Sequence, residues 1–195
     1  MSETARQSEK ITMNALSNEE LTRRLLRLES IEQIKRVKYR YFRAMDSGDF
    51  ASLEDLYTDD IEVDYVGGTY RWQLQGKQQL LQAQAASFNA EAIGCHSGHH
   101  PEIDIIDDSS ATGVWYMTDI FMNFRERTVH YGSAVYRDNY VRIDDHWKIK
   151  RTAYKRVYEQ METLETMPNV TFSMLREKRD NPAAWQAWWE QFVQH

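Results

Sequence analysis

The chain has 195 residues, 42 % of them hydrophobic and 12 % aromatic, enough for one sizeable core with modest extensions. A formal net charge of −6 argues against nucleic acid or an anionic membrane as the main partner. With Cys95 as the single cysteine there is no intrachain disulfide, and the polar start and short apolar runs predict neither a secretory signal nor a membrane span, hence a cytoplasmic protein.

Residues 1–16 carry too little apolar surface to order themselves and are expected to form a disordered leader. A main domain is expected over 17–160 and a Trp-rich helical extension over 161–195. Ser17 and Glu20 have capping-box spacing and open a short helix through LTRRLLRLE. Ser30 and Gln33 repeat that signal before IEQIKRVKYRYFRAMD, where Ile31, Ile34, Tyr41 and Met45, joined by Val37 or Lys38, keep helical period. The basic cluster IKRVKYRYFR is expected to be the solvated face of this helix. DSGDF ends it, and Asp49 can cap FASLEDLY. IEVDYV and TYRWQL flank Gly67-Gly68 as a hairpin, and GKQQLLQAQAASFNA predicts a further helix.

Four long strands follow, IGCHSGHHPEIDII, ATGVWYMTDIFMNF, HYGSAVYRDNYVRI and WKIKRTAYKRVYEQM, with junctions too short for parallel crossovers. Helices first and an antiparallel meander afterwards indicate an α+β fold. In the tail, DNPAAWQAWWEQFV has Asp180 or Asn181 as a cap, Pro182 near the first turn and a Trp-rich face at helical spacing.

Three places invite chemistry. GCHSGHHPEIDI holds His96, His99 and His100. On an extended strand His96 and His100 share one face and His99 takes the other, so three ligands meet on one ion only after a sharp bend such as a bulge at Pro101. Proton transfer is therefore preferred to a metal, and for His99 and His100 a hydrogen-bonded core role is equally open. Asp46 ends a helix whose apolar face includes Tyr41 and Met45; it is either a turn residue before Ser47-Gly48 or the carboxylate that fixes a histidine tautomer. Asp119 lies in WYMTDIFMNF, apolar on both faces, where a carboxylate needs a partner unless it faces water. In an apolar pocket it would stay protonated and act as a donor.

KYRYFRAMDSGDFASLEDLYTDDIEV, CHSGHHPEIDI, TGVWYMTDIFMNF and AYKRVYEQM together resemble the SnoaL-like proteins of the nuclear transport factor two superfamily, over about residues 18–160. YFRAMD and HSGHHPEI are the most specific parts. The similarity is greatest to the dehydratase branch, which includes bile acid 7α-dehydratase and scytalone dehydratase; Met45 stands where the latter has a tyrosine directly before the aspartate. The resemblance implies a cone-shaped α+β barrel with N-terminal helices packed in a curved, mostly antiparallel sheet. It implies Tyr41, Asp46, His96 and Asp119 as catalytic residues and Tyr65, Trp115 and Arg156 as substrate-binding ones. The implied activity is a cofactor-independent dehydration of a hydroxylated polycyclic or aromatic carbonyl compound, with His96 as base oriented by Asp46. An isomerase, a polyketide cyclase or a non-catalytic small-molecule-binding module shares the fold. No nucleotide, flavin or haem motif appears, so no cofactor is expected. The expected partners are a small hydrophobic substrate (a steroid, an aromatic compound or a coenzyme A thioester) and a second or third copy of the chain. Association is expected through the open sheet face, where the Trp185, Trp188, Trp189 and Phe192 cluster would suit burial unless it packs on its own subunit.

Overall fold

The computed structural model describes residues 17–193; the leader expected over 1–16 lies outside them, as does the side chain of Phe192. Helix α1 runs Asn18–Ser47 and is one element, not two. The Ser17 hydroxyl accepts the Glu20 N–H at 3.1 Å, so the first capping signal is used and the second, at Ser30, is not. A serine inside a helix costs only tenths of a kcal/mol relative to alanine, and no Gly or Pro interrupts the stretch around it. The helix stops at Gly48, whose φ of 65° is a left-handed cap that an L side chain rarely adopts. Its core-facing stripe is Ile34, Val37, Tyr41, Phe42 and Met45, and Lys38 is buried with them. The basic cluster is thus not wholly solvated.

Asp49 caps α2 (Phe50–Leu56) by accepting the Ser52 N–H at 3.2 Å. Strands β1 (Tyr57–Val66) and β2 (Arg71–Gln75) form the expected hairpin, and α3 spans Lys77–Ser87. Then come β3 (Ala92–Ile105), β4 (Ser110–Asn123), β5 (Thr128–Ile143) and β6 (His146–Thr163). The sheet order is β2-β1-β6-β5-β4-β3, antiparallel throughout except where β1 runs parallel to β6. The architecture is α+β as expected, but the sheet is curved and open, not a closed barrel. Its β3 edge lies against α1 instead: the His96 main-chain N–H donates to the Asp46 carboxylate at 2.9 Å, which satisfies an edge donor that would otherwise face solvent.

Period-two alternation puts Ala111, Gly113, Trp115, Met117 and Asp119 of β4 on the concave face, all buried. With Tyr41, Tyr57, Tyr65, Tyr136 and Tyr140 they make an aromatic core under α1. After β6 the chain forms α4 (Met174–Asp180), which the sequence pattern did not announce, and α5 (Pro182–Val193). Trp185 and Trp189 stack at 5.4 Å and are buried on their own chain, whereas Trp188 is 40 % exposed. No described helix is long and apolar enough to cross a membrane.

Candidate active site

The C-terminal end of α1 and the first half of β3 meet at Asp46 and His96. One Asp46 oxygen lies 2.5 Å from His96 Nδ1, and the other accepts the main-chain N–H of the same residue. This two-point grip fixes the ring's orientation and directs Nδ1 to the carboxylate, leaving Nε2 as the nitrogen for exchange with a ligand. His96 is also held between two rings, Phe42 at 5.9 Å and Phe88 at 5.6 Å.

The motif GCHSGHH acquires a physical explanation here. Gly94 and Gly98 flank His96 on the same strand face. A Cβ at Gly94 would come within 2.5 Å of the Phe88 ring, and one at Gly98 would run into Phe42. The two glycines therefore let both aromatic walls close on the imidazole. His99 and His100 do something else. A bulge between His99 and Glu102 gives His100 a φ of 51°, and the rings of His99 and His100 meet edge-on with Nδ1 atoms 2.8 Å apart, beside Tyr116. The three imidazoles do not converge.

Across the concave face the register aligns His96 with Asp119, Asp119 with Gly132 and Gly132 with Glu159. Asp119 has the partner its sequence surroundings required: both oxygens accept from Arg156, Nη2 to Oδ2 at 2.9 Å and Nη1 to Oδ1. It sits against a guanidinium, not alone in an apolar pocket as expected of a proton donor. Arg156 in turn is engaged by Asp119 instead of standing free for an anionic substrate group. Burial works against the guanidinium charge, but the Asp119 carboxylate outweighs it and holds the group above the ordinary arginine range. The reach from β6 to β4 passes over Gly132, where a Cβ would lie 2.7 Å from Arg156 Nη1. Arg156 Nε also donates to the Tyr70 hydroxyl at 3.2 Å, and Tyr70 lies 2.5 Å from the Tyr154 hydroxyl. Glu159 anchors the β1–β2 turn through the Gly68 and Thr69 N–H groups, at 2.8 and 3.2 Å.

The remaining expected residues lie deeper. Tyr41 faces the core, five residues from Asp46 and so on another side of the helix. Its hydroxyl is 3.2 Å from that of Tyr65, which donates to Thr152 at 3.4 Å and stacks on Tyr154 at 4.3 Å. Burial, with neighbouring tyrosines added, pushes the Tyr41 hydroxyl well above the ordinary range. Trp115 has no exposed surface and donates from Nε1 to the Tyr140 hydroxyl at 3.1 Å. Its expected substrate contact is corrected: it is a core residue, covered by α1, with Tyr39 packed edge-on at 6.0 Å. Beneath it lies a pair that the sequence reading missed. Lys38 donates to Asp138 at 2.8 Å, with both side chains fully buried and the Tyr136 ring 3.6 Å from the ammonium. Desolvation lowers the Lys38 pKa despite Asp138. Lys38 does fall in the apolar register of its helix, and that was the available signal.

Asp46 and His96 open into a cleft of about 740 Å³ between α1, β3 and the C-terminal extension, within the size range of small-molecule sites.

The SnoaL-like domain family matches residues 26–153, well over half of the chain. The chain belongs to this family. SnoaL-like proteins belong to the nuclear transport factor two-like superfamily, and similar solved structures carry the same fold. One is a candidate scytalone dehydratase from Novosphingobium aromaticivorans DSM 12444 (19 % identity, TM-score 0.63, covering 76 % of this chain and 97 % of that one). Another is the hexachlorocyclohexane dehydrochlorinase LinA-type3 from Novosphingobium barchaimii LL02 (18 %, TM-score 0.63, covering 74 % and 99 %). A third is an NTF2-like protein with a cystatin-like fold from Novosphingobium aromaticivorans (20 %, TM-score 0.57, covering 72 % and 90 %). At these identities the likeness is one of fold. The match of the SnoaL-like domain ends at residue 153, ahead of Arg156 and of the whole C-terminal extension.

Proposed function

We propose that this chain is a lyase that removes water from a small hydrophobic carbonyl compound without a cofactor. His96 Nε2 takes a proton from the carbon next to the carbonyl, and Asp46 stabilises the imidazolium that results. The C–H electrons form the new double bond, the C–O bond on the neighbouring carbon breaks, and the departing hydroxyl leaves as water with the proton carried by the imidazolium. Arg156 reaches from β6 to Asp119, the residue paired with His96 on the neighbouring strand, and the N–H groups that Asp119 leaves unused would turn toward the charge that develops on the carbonyl oxygen. Tyr41 and Tyr65, both buried in the core, do not line this cleft and take no part in the reaction. A positioned general base of this kind contributes about 10²–10⁴-fold.

The observation that carries the reading is the double grip of Asp46 on His96, at the ring and at the backbone, beside a largely apolar cleft. The names of two fold relatives, a dehydratase and a dehydrochlorinase, both describe removal of a proton and an adjacent leaving group, which agrees with it. One observation favours a second reading. With Asp119 engaged by Arg156 and Glu159 by the β1–β2 turn, neither carboxyl group of the row stands free to protonate the leaving hydroxyl, and an isomerase needs only the base and an oxyanion donor.

The test is a screen of wild type and His96→Ala against hydroxylated steroids, bile-acid coenzyme A thioesters and aromatic polyketides, followed by mass spectrometry and absorbance. Loss of one water with wild type alone supports the dehydratase. A new conjugated absorbance at unchanged mass replaces it with the isomerase. Turnover that His96→Ala leaves intact removes both. The exposed Tyr116, Ile120, Tyr131 and Tyr158 on the outer sheet face support association of two or three copies there, which light scattering would read.

A further inference from the structure

The cleft that ends at Asp46 and His96 has three walls. Phe42 and Arg43 of α1 form one, the start of β3 forms the second, and Phe172, Met174 and Trp188 of the C-terminal extension form the third. The extension is fastened at both lips. On the α1 side Lys178 donates to the Gly48 carbonyl, Trp189 Nε1 donates to Asp49 at 3.1 Å, and Leu175 is buried against Gly48, where a Cβ would be 2.8 Å from its side chain. On the β3 side Arg176 donates to the Ala90 carbonyl at 3.2 Å and covers the Phe124 ring at 3.7 Å, while Arg179 pairs with Glu91 at 3.5 Å. These contacts place the third wall, and Trp188 packs on Trp189 at 6.1 Å while keeping part of its surface exposed.

Phe172 is 65 % and Trp188 40 % exposed, although Trp185 and Trp189 of the same extension are buried. Two large aromatic side chains that line an apolar cleft and keep much of their surface exposed offer a ligand apolar area to cover. The charge in the cleft is also unbalanced. Asp46 is taken up by His96, whereas Arg43 makes no ion pair among the described residues. Aromatic rings on one wall and an unpaired guanidinium on the other suit a flat ring system that carries an anionic group.

We propose that the C-terminal extension is part of the binding site: Phe172 and Trp188 form an aromatic platform, and Arg43 an anion contact, for a polycyclic or aromatic ligand bearing a carboxylate, sulfonate or similar group. This deepens the reading of His96 and Asp46 as the reacting pair, because it sets which molecules reach them. It also accounts for a segment that the matched SnoaL-like domain does not include.

The probe is 8-anilino-1-naphthalenesulfonate, a flat aromatic anion, titrated by fluorescence into the full chain. Phe172→Ala and Trp188→Ala should each raise its Kd by about three- to tenfold, the range of a single aromatic contact. Arg43→Gln should raise it by a similar factor, with the effect vanishing at high salt, and Trp188→Phe should restore most of the affinity. Tyr158→Ala, on the outer face of the sheet, should leave it unchanged. Thermal melts of every variant separate lost binding from lost fold. Wild-type affinity in both Phe172→Ala and Trp188→Ala overturns the proposal, and so does a loss in Tyr158→Ala as large as theirs. The outcome is independent of chemistry: if the platform variants bind weakly but His96→Ala leaves turnover intact, the extension is a binding wall and only the lyase reading fails.

Discussion

Helix α1 carries two charged residues that each find a partner on the sheet, and the two pairs differ in nearly everything else. Lys38 and Asp138 are sealed, with no exposed side-chain surface, under Tyr41, Phe42 and Tyr136. Asp46 and His96, two turns further on, sit at the open end, with side chains 27 % and 11 % exposed beside the cleft. Both pairs tie the same helix to the same sheet. A sealed pair can only hold the fold, since no ligand reaches it. An accessible pair with one ring nitrogen uncommitted can move a proton. Position along one helix, not residue chemistry, separates structure from function.

The largest effects should come from breaking the sealed pair. Lys38→Met leaves Asp138 buried without its counter-charge, which costs about 3–5 kcal/mol in comparable cases. Asp138 Oδ1 has no hydrogen-bond partner among the described residues, so the pair is not fully satisfied even in the folded chain. The double variant Lys38→Met/Asp138→Asn should therefore recover most of the loss, because Tyr140 donates to Asp138 Oδ2 at 2.8 Å and can still donate to the asparagine oxygen. Urea unfolding of Lys38→Met, Asp138→Asn and the double variant gives the coupling directly. A double variant as unstable as Lys38→Met would mean that the pair, and not its desolvation, matters.

The accessible pair should respond in the opposite way. Asp46→Asn keeps the size and the main-chain acceptor but loses the charge opposite the imidazolium, so turnover on whichever substrate the screen finds should fall about 10²–10⁴-fold. Its melting temperature should stay near that of wild type. If Asp46→Asn unfolds the chain as readily as Lys38→Met does, the contrast between the two pairs collapses.

Much of this contrast was legible in the sequence, but not all of it. Alternation and short junctions were enough for β3 to β6 and for the β1–β2 hairpin, because strand period and turn chemistry are local. The continuity of α1 was obscured, since Ser30 followed by Gln33 mimics a helix start and only the lack of a Gly or Pro around it points to one element. Asp46 and His96 each stood out in the sequence, but their joint role came from the resemblance to a family and not from spacing, since fifty residues separate them. Asp119 and Arg156 were both singled out, yet their pairing depends on the registers of three strands and on the gap at Gly132. Trp115 was misjudged for a related reason. A concave-face position lines open space only where α1 does not fill the cone, and that is a property of packing.

Asp119 and Arg156 form a third pair, with side chains 5 % and 11 % exposed, and a single glycine tests which of the other two it resembles. Gly132→Ala puts a methyl group 2.7 Å from Arg156 Nη1 and 3.0 Å from the Tyr158 carbonyl oxygen, so the guanidinium must leave Asp119. Overpacking of this kind costs about 1–3 kcal/mol. A fall in turnover greater than that loss of stability predicts, measured well below the melting temperature, would group this pair with Asp46 and His96. A loss of stability alone would group it with Lys38 and Asp138.

The smallest single-variant effect lies in the pH dependence of the sealed region, and its sign can be worked out. Burial lowers the Lys38 pKa from its ordinary 10.5, so between the folded value and 10.5 the unfolded chain binds the proton better and stability rises with pH. Burial raises the hydroxyls of Tyr41, Tyr57, Tyr65, Tyr136, Tyr140 and Tyr154 above their ordinary 10.0. Above pH 10 the unfolded chain loses those protons while the folded chain keeps them, so stability falls. Each such group contributes at most about 1.4 kcal/mol per pH unit. Tyr140→Phe should flatten the alkaline fall by up to one such increment, and Lys38→Met should abolish the rise below pH 10.5. Tyrosinate absorbance during alkaline unfolding would read both, because buried hydroxyls should ionise only as the chain opens. An absorbance that reaches its full value while the chain is still folded would show that the region around Lys38 and Asp138 is not sealed, and the comparison with the open end would lose its first term.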